Sequence, residues 1–327
     1  MTVVLDALRY LVYILIFPGF LFCFLSGMLL CGIDRKVVAR MQKRIGPPVL
    51  QPFYDFFKLL GKETIVPAAA NKTVFLIAPL VGLAAQVVLQ LFIPVFSFNA
   101  FHGVADVIVI LYLLLIPALS VILGAASSGS PYAGVGLSRE MVLVLLAVAK
   151  VVGNALGTGV CFSLTDIVNY QVAHGSLIRK LSMIPAALAM LLVIPGETGS
   201  HPFDTAEAET EICEGMLAEY SGKPLAVYKL SSAVKLLTMT SLFVALFLGG
   251  IGGGLERAMM TSAIGGAFCF LIEILILFLL CTVLVAVCVS LTHAVTARLR
   301  IEQVFKFYWT AVAGLALISL VLAWYGL

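Results

Sequence analysis

The stretch SAIGGAFCFLIEILILFLLCTVLVAVCVSLT, residues 262–292, carries one charged side chain, Glu273, in 31 residues. As a helix it would rise about 46 Å, more than the roughly 30 Å of a bilayer's hydrocarbon core. A helix that is apolar all round cannot face water, so the stretch is read as a membrane span. Seven further apolar runs qualify: about 7–33, 73–97, 103–127, 138–157, 181–195, 224–248 and 307–327. The run at 181–195 is short and ends at Pro195. The first run is too long, with too little positive charge before it, for a cleaved signal peptide, and it is kept as a helix. The expectation is an all-α integral membrane protein of about eight transmembrane helices, one domain over 1–327, with amphipathic helices in the cytoplasmic loops 34–72 and 196–222.

Composition agrees. The chain is 62% hydrophobic and 11% charged, with mean hydropathy +1.12, whereas about a quarter of the residues of a soluble domain are charged. The net charge is only +3, and the basic residues gather in one loop without an aromatic surface among them, which excludes nucleic acid as a partner. Cys23, Cys31, Cys161, Cys213, Cys269, Cys281 and Cys288 form no CxxC pair and lie mostly in apolar runs, so they read as small core residues.

Lys and Arg are retained on the cytoplasmic side of a membrane. Arg35, Lys36, Arg40, Lys43, Arg44, Lys58, Lys62 and Lys72 all lie between the first and second spans. That loop is therefore inside, in the cytoplasm, and the N terminus outside. Alternation then puts Arg139, Lys223, Arg298, Arg300 and Lys306 inside as well, together with the loop 196–222.

That loop is acidic. HPFDTAEAETEICEGMLAEYSG, residues 201–222, holds six carboxylates and neither Lys nor Arg. Good helix formers after Pro202 predict a short helix from about 204 to 219. On it Asp204, Glu207, Glu211 and Glu214 recur at i, i+3, i+7 and i+10 and form one anionic stripe, with Glu219 flanking it and Glu209 off it. A solvated face is the bland reading. Like charges at these spacings repel, however, so the stripe does not serve helix stability. Carboxylates crowded against apolar helices exchange protons as a coupled set, and the sharper reading is a proton-handling site.

A second polar group lies deep in the bilayer. Lys150 and Lys235 stand roughly 17 Å from the inner ends of their helices, and Glu273 a similar depth from the outer end. Each midplane charge costs about 2.5–3.5 kcal/mol and is rarely present without a role. The three are read as structural staples or as part of an ion path. Lys229, nearer the surface, snorkels or faces the loop.

The basic loop, DRKVVARMQKRIGPPVLQPFYDFFKLLGKE, carries Arg35, Lys36, Arg40, Lys43 and Arg44 at helical intervals beside Val37, Val38 and Met41. It predicts an interfacial helix, a Gly46-Pro47-Pro48 turn and a second amphipathic piece around Phe53 to Leu60. It anchors on the lipid bilayer or docks a cytoplasmic partner.

These residues carry a resemblance. DRKVVARMQKRIGP, LQPFYDFFKLLGKE, SSGSPYAGVGLSRE (127–140), FSLTDIVNYQ, PFDTAEAETEICEGMLAEYSG and ARLRIEQVFKFYW occur in fixed order along almost the whole chain. The sequence resembles the proximal membrane subunit of respiratory complex I, the NADH-quinone oxidoreductase of bacteria. It also resembles the counterparts in energy-converting group 4 NiFe hydrogenases of the Ech and formate hydrogenlyase type. Quinone-reducing members often carry Asn-Arg before Pro-Phe-Asp, where this chain has Gly199, Ser200 and His201, and a longer link than Pro47 to Val49. Both departures favour the hydrogenase branch, with the quinone-site subunit as the alternative. The resemblance implies a subunit with no catalytic or metal site and no cofactor of its own. A Ni–Fe centre and Fe–S clusters belong to the hydrogenase large and small subunits and a ferredoxin-like Fe–S subunit, and antiporter-like membrane subunits complete the complex. It implies coupling roles for Glu197, Asp204, Glu207, Glu211, Glu214 and Glu219, with Glu140, Lys150, Lys235 and Glu273 as further ion-coupling candidates. Arg35, Lys36, Arg40, Lys43 and Arg44 are the docking candidates.

Overall fold

The first apolar run does not end where the sequence turns charged. In a computed structural model, which describes residues 10–95, 107–131, 163–205, 215–249 and 263–325, helix α1 (Phe20–Met41) continues unbroken through Asp34, Arg35 and Lys36. No glycine or proline stands between residues 33 and 45, so nothing breaks the ladder of backbone bonds at the membrane surface. This corrects the expectation of a separate interfacial helix: the basic residues ride on an extension of the span. Lys43 ends it. Its φ of 57° lets the Arg44 N–H reach the Ala39 carbonyl at 2.9 Å and its own N–H reach Arg40 at 3.1 Å, closing the last turn.

The second amphipathic piece is found as α2 (Gln51–Leu60). Phe53 and Phe56 pack edge-on against Phe24 of α1, with ring centroids 5.6 and 5.3 Å away, while Tyr54 and Phe57 stay exposed. Next come α3 (Lys72–Phe92), α4 (Val107–Ser128), α5 (Leu164–His174) and α6 (Met183–Glu197). Then follow α7 (Gly222–Phe243), α8 (Ala263–Leu284), α9 (Leu291–Val295), α10 (Ile301–Phe307) and α11 (Ala313–Trp324). Wide π turns at Val244–Leu248, Val285–Ser290 and Tyr308–Val312 interrupt three of the long helical stretches.

Six helical stretches among the described residues are long and apolar enough to cross a membrane, and α6 is a shorter seventh. The expected span 138–157 lies outside the described residues. Of the six, the stretch Gly222–Leu248 is the least apolar and the most buried, at 89% of its central window against 17–56% in the others. It packs on α1, α2, α3, α6 and α8, so Ser231, Thr238, Thr240 and Ser241 are buried against protein. At the α1 crossing a Cβ on Gly27 would lie 2.9 Å from the Ala233 carbonyl, a contact that requires glycine. The stretch from Phe270 shows the opposite pattern. Leu271, Leu275, Leu279, Val283, Val287 and Leu291 recur every four residues along one exposed stripe, while Glu273, Leu277 and Cys281 turn inward.

Candidate functional site

Helix α6 has 15 residues, a rise of about 22 Å, and cannot cross the roughly 30 Å core. Its last residue, Glu197, therefore ends inside the bundle. There it meets Lys235 of α7, 13 residues and about 20 Å beyond Gly222. The Nζ–Oε1 distance is 3.0 Å, and the two side chains are only 13% and 8% exposed. Gly196 makes the approach possible, because a Cβ there would lie 1.9 Å from the Tyr308 hydroxyl, which donates to the Leu192 carbonyl at 3.2 Å.

Irregular backbone at membrane depth is tolerated only where protein buries it or it lines a cavity. Residues 198–205 meet that condition. The Thr198 hydroxyl donates to the Ile194 carbonyl at 2.9 Å and the Ser200 N–H to Pro195 at 2.9 Å; Leu299 donates its N–H to Pro202 at 3.2 Å. The turn presents Asp204, 9% exposed, to Arg298 at 3.0 Å and to His201 at 3.1 Å. His201 Nδ1 also stands 3.4 Å from Arg298 Nε, so it either donates to Asp204 or accepts from Arg298, but not both. The His293 ring lies 4.5 Å from that of His201, and Ser290 donates to Asp34 at 2.6 Å.

These groups line two cavities. The larger, about 750 Å³, lies between α1, α2, α7 and the turn after α6, and both signs of charge line it: Asp34, Asp55 and Asp204 against Arg35, Lys58, Lys229 and Arg298. The smaller, about 60 Å³ and thus room for a few waters, holds Glu197 and Lys235. Thr198, Gly199, Asp204 and Ser232 belong to both walls. The basic loop, the acidic loop and the link before α10 thus converge at one end of the bundle. Nearby, Tyr220 stacks on Phe75 at 4.0 Å, and burial raises its phenol above the ordinary tyrosine range against the lowering effect of hydrogen bonds with Tyr228 and Ser127.

The expected helix over 204–219 is not continuous at its described ends. Asp204 and Thr205 are irregular, Gly215–Leu217 is a single 3-10 turn, and Glu219 is exposed in the turn that follows. Glu207, Glu211 and Glu214 lie outside the described residues, as do Glu140 and Lys150. Asp204 belongs to a cation pair, because residues remote in sequence supply the positive charge that the loop lacks. Glu273 is buried on α8, 2% exposed. In the basic loop Arg35 pairs with Asp55 at 3.1 Å, Arg40, Lys43 and Arg44 are exposed, and Lys36 is half-buried. Sequence reasoning missed Asp34, His201 and His293 as site residues and treated Arg298 only as loop charge. An acid within the last turns of a span was a usable signal for Asp34; the others are joined only by folding.

The sequence profile described as NADH dehydrogenase matches residues 13–324. The chain belongs to this family. Within the NADH dehydrogenase family it is 33% identical to hydrogenase-4 component C of Escherichia coli over 78% of this chain and 81% of that protein. It is 32% identical to formate hydrogenlyase subunit 4 of the same organism, over 92% and 96% of the two chains. An NADH-quinone oxidoreductase subunit of Allorhizobium ampelinum is 32% identical over 92% of this chain and 90% of its own. The fold matches a chain in the structure of the membrane-bound sulfane sulfur reductase, an archaeal respiratory membrane complex, with TM-score 0.80 and 30% identity over 97% and 98% of the two chains. The protein is thus a multi-pass, all-α membrane member of the family. Among the described residues no group of three or more His, Cys, Asp or Glu side chains could hold a metal ion.

Proposed function

We propose that this chain is the proton-coupling membrane subunit of a NiFe-hydrogenase-type complex, joining a cytoplasmic redox arm to antiporter-like membrane subunits. The observation that carries this reading is the Glu197–Lys235 pair. A buried acid and base share a small cavity whose wall, through Asp204, is also the wall of a large chamber at the basic-loop end. Protons arriving in that chamber have exchangeable groups leading inward, and a carboxylate beside an ammonium gives up or takes a proton according to the field around it. Electron transfer in a redox arm seated over the chamber, with Fe–S clusters and a Ni–Fe centre fed by a ferredoxin-like donor, would change that field. The relatives hydrogenase-4 component C and formate hydrogenlyase subunit 4 support this branch. In the bilayer of the cytoplasmic membrane the chamber end would face the cytoplasm and the N terminus would lie outside, an orientation that the Lys and Arg of the basic loop support.

A second reading, a quinone-site subunit, is favoured by the chamber itself. The short link at 47–49 and the Gly199-Ser200-His201 sequence do not abolish it, and about 750 Å³ accommodates a ring-sized ligand. Extraction of the purified complex separates the two, since stoichiometric quinone belongs only to the second. The coupling reading is tested with the charge-balanced Glu197→Gln/Lys235→Met variant and with Asp204→Asn in vesicles containing the whole complex. Electron turnover should persist while protons moved per electron fall. Unchanged pumping in both would refute the reading.

A further inference from the structure

Beyond the ion pair, α7 carries further polar groups into the buried core of the bundle. Thr238, three residues above Lys235, lies 2.9 Å from the Lys235 carbonyl and 3.0 Å from Gln86 Oε1 on α3. One turn on, Ser241 lies 3.0 Å from the Thr238 carbonyl and 3.1 Å from Gln90 Oε1. Gln86, Gln90, Thr238 and Ser241 are all 0% exposed. Neither glutamine amide nitrogen has a hydrogen-bond partner. Turning an amide over would give the hydroxyl an N–H donor and leave the amide oxygen facing the same space. Two amides one helical turn apart, about 6 Å, are thus each half satisfied inside a membrane protein, where such a group is costly and ordinarily finds a partner. Farther along, the wide turn Val244–Leu248 presents the Ala245 and Leu246 carbonyls to Gln171, whose Nε2 donates to them at 2.8 and 3.1 Å. Gln171 spends both amide protons there, so it holds the turn open and marks the far end of the polar track. From Lys235 to Leu246 the track covers about 16 Å of an otherwise apolar core.

We propose that Gln86, Gln90, Thr238 and Ser241 hold a file of internal water that carries protons away from the Glu197–Lys235 pair toward the opposite side of the membrane. Water supplies the acceptors and donors that the amides lack, and hydroxyls and amides at this spacing bridge one water to the next. Gln86, Gln90, Thr238 and Ser241 offer neutral dipoles, and the entrance is a paired carboxylate and ammonium, which suits a hydrogen-bonded proton relay. The proposal rests on the coupling function above.

The test is made on the whole complex in sealed vesicles, with proton uptake expressed per electron transferred. Gln86→Met/Gln90→Met keeps the side-chain volume and removes the polar lining; Gln86→Ser/Gln90→Ser shortens the chains and leaves room for more water. Pumping per electron should fall at least about fivefold in the Met pair, the lower end of ordinary coupling between sites, and be retained in the Ser pair. A wild-type density map with visible waters should place one beside each amide. If the glutamines only glue α3 to α7, both pairs lose stability and neither alters the proton yield per electron. That outcome, or a map with no water at the amides, overturns the proposal. Loss in the charge-balanced Glu197/Lys235 variant with normal yield in the Met pair overturns the water file and leaves the coupling function standing. Normal yield in both the charge-balanced variant and Asp204→Asn removes the coupling function itself.

Discussion

Replacing Glu197 by Gln isolates the energetics of the central pair. Two unit charges 3.0 Å apart in a medium of effective dielectric about 20 attract by roughly 5–6 kcal/mol, most of it offset by the cost of taking both out of water. Removing one partner forfeits the attraction and takes from the buried Lys235 the carboxylate it meets at 3.0 Å, a loss of up to about 3–5 kcal/mol. At roughly 2 °C per kcal/mol for a chain of this size, the unfolding temperature should drop by about 5–10 °C. Lys235→Met in the same chain removes the ammonium as well and keeps an apolar stem of similar length, so the double variant should recover at least half of the drop. The assay is thermal unfolding of the purified complex in detergent for wild type, both single variants and the double. If the two single losses simply add, so that the coupling in the cycle is below about 0.5 kcal/mol, the pair is not the close ionic contact described here.

Two other outcomes are expected of the same geometry. Arg40, Lys43 and Arg44 are exposed on the extension of α1 and its closing turn, and we expect Glu at all three to release the soluble arm from washed membranes; full retention would refute docking at this face. Gly196→Ala sets a methyl group 1.9 Å from the Tyr308 hydroxyl and should cost about 1–3 kcal/mol or more by overpacking, seen as less assembled complex. Tyr308→Phe should relieve part of that loss, and an undiminished yield in Gly196→Ala would show that α6 and the Tyr308 turn are not in contact.

The class of fold was legible because hydrophobic length is a one-dimensional signal. The run at 262–292 needs no partner to declare itself. The extent of α1 was less legible, since hydropathy marks where the membrane ends and not where the helix ends. Only the left-handed Lys43 and the following Gly46-Pro47-Pro48 stop it. The candidate site was legible in its residue types. Lys235 betrays itself as a cation in an apolar run, and the acidic loop as a cluster without cations. What periodicity could not supply was their meeting. A helical stripe was inferred for Asp204 from spacing alone, but the chain is turned there by backbone bonds to Pro195 and Ile194 and by Arg298, 94 residues away (298 − 204). The one clue to depth was the shortness of the run ending at Pro195, since a helix too short to cross must leave its last residue within the bilayer.

That shortness connects the fold to the function. A full-length α6 would carry Glu197 to the surface, where a carboxylate near a lysine is worth little and is screened by salt. Ending early, α6 holds the acid at the depth of Lys235, and the irregular turn that follows carries Asp204 along the wall between the two cavities. The same argument explains why the most buried span is the least apolar. The lipid-facing side of a helix must be greasy, as the stripe from Leu271 to Leu291 is, whereas a helix enclosed by five others can carry Ser231, Lys235, Thr238, Thr240 and Ser241 at little cost in transfer energy. Enclosure also withholds bulk water, so a charge change at the chamber acts on Glu197 and Lys235 through a medium that screens it weakly. Burial, a broken helix and a polar central helix are thus parts of one arrangement. On the coupling function proposed above, they would place exchangeable protons where a distant redox event could move them.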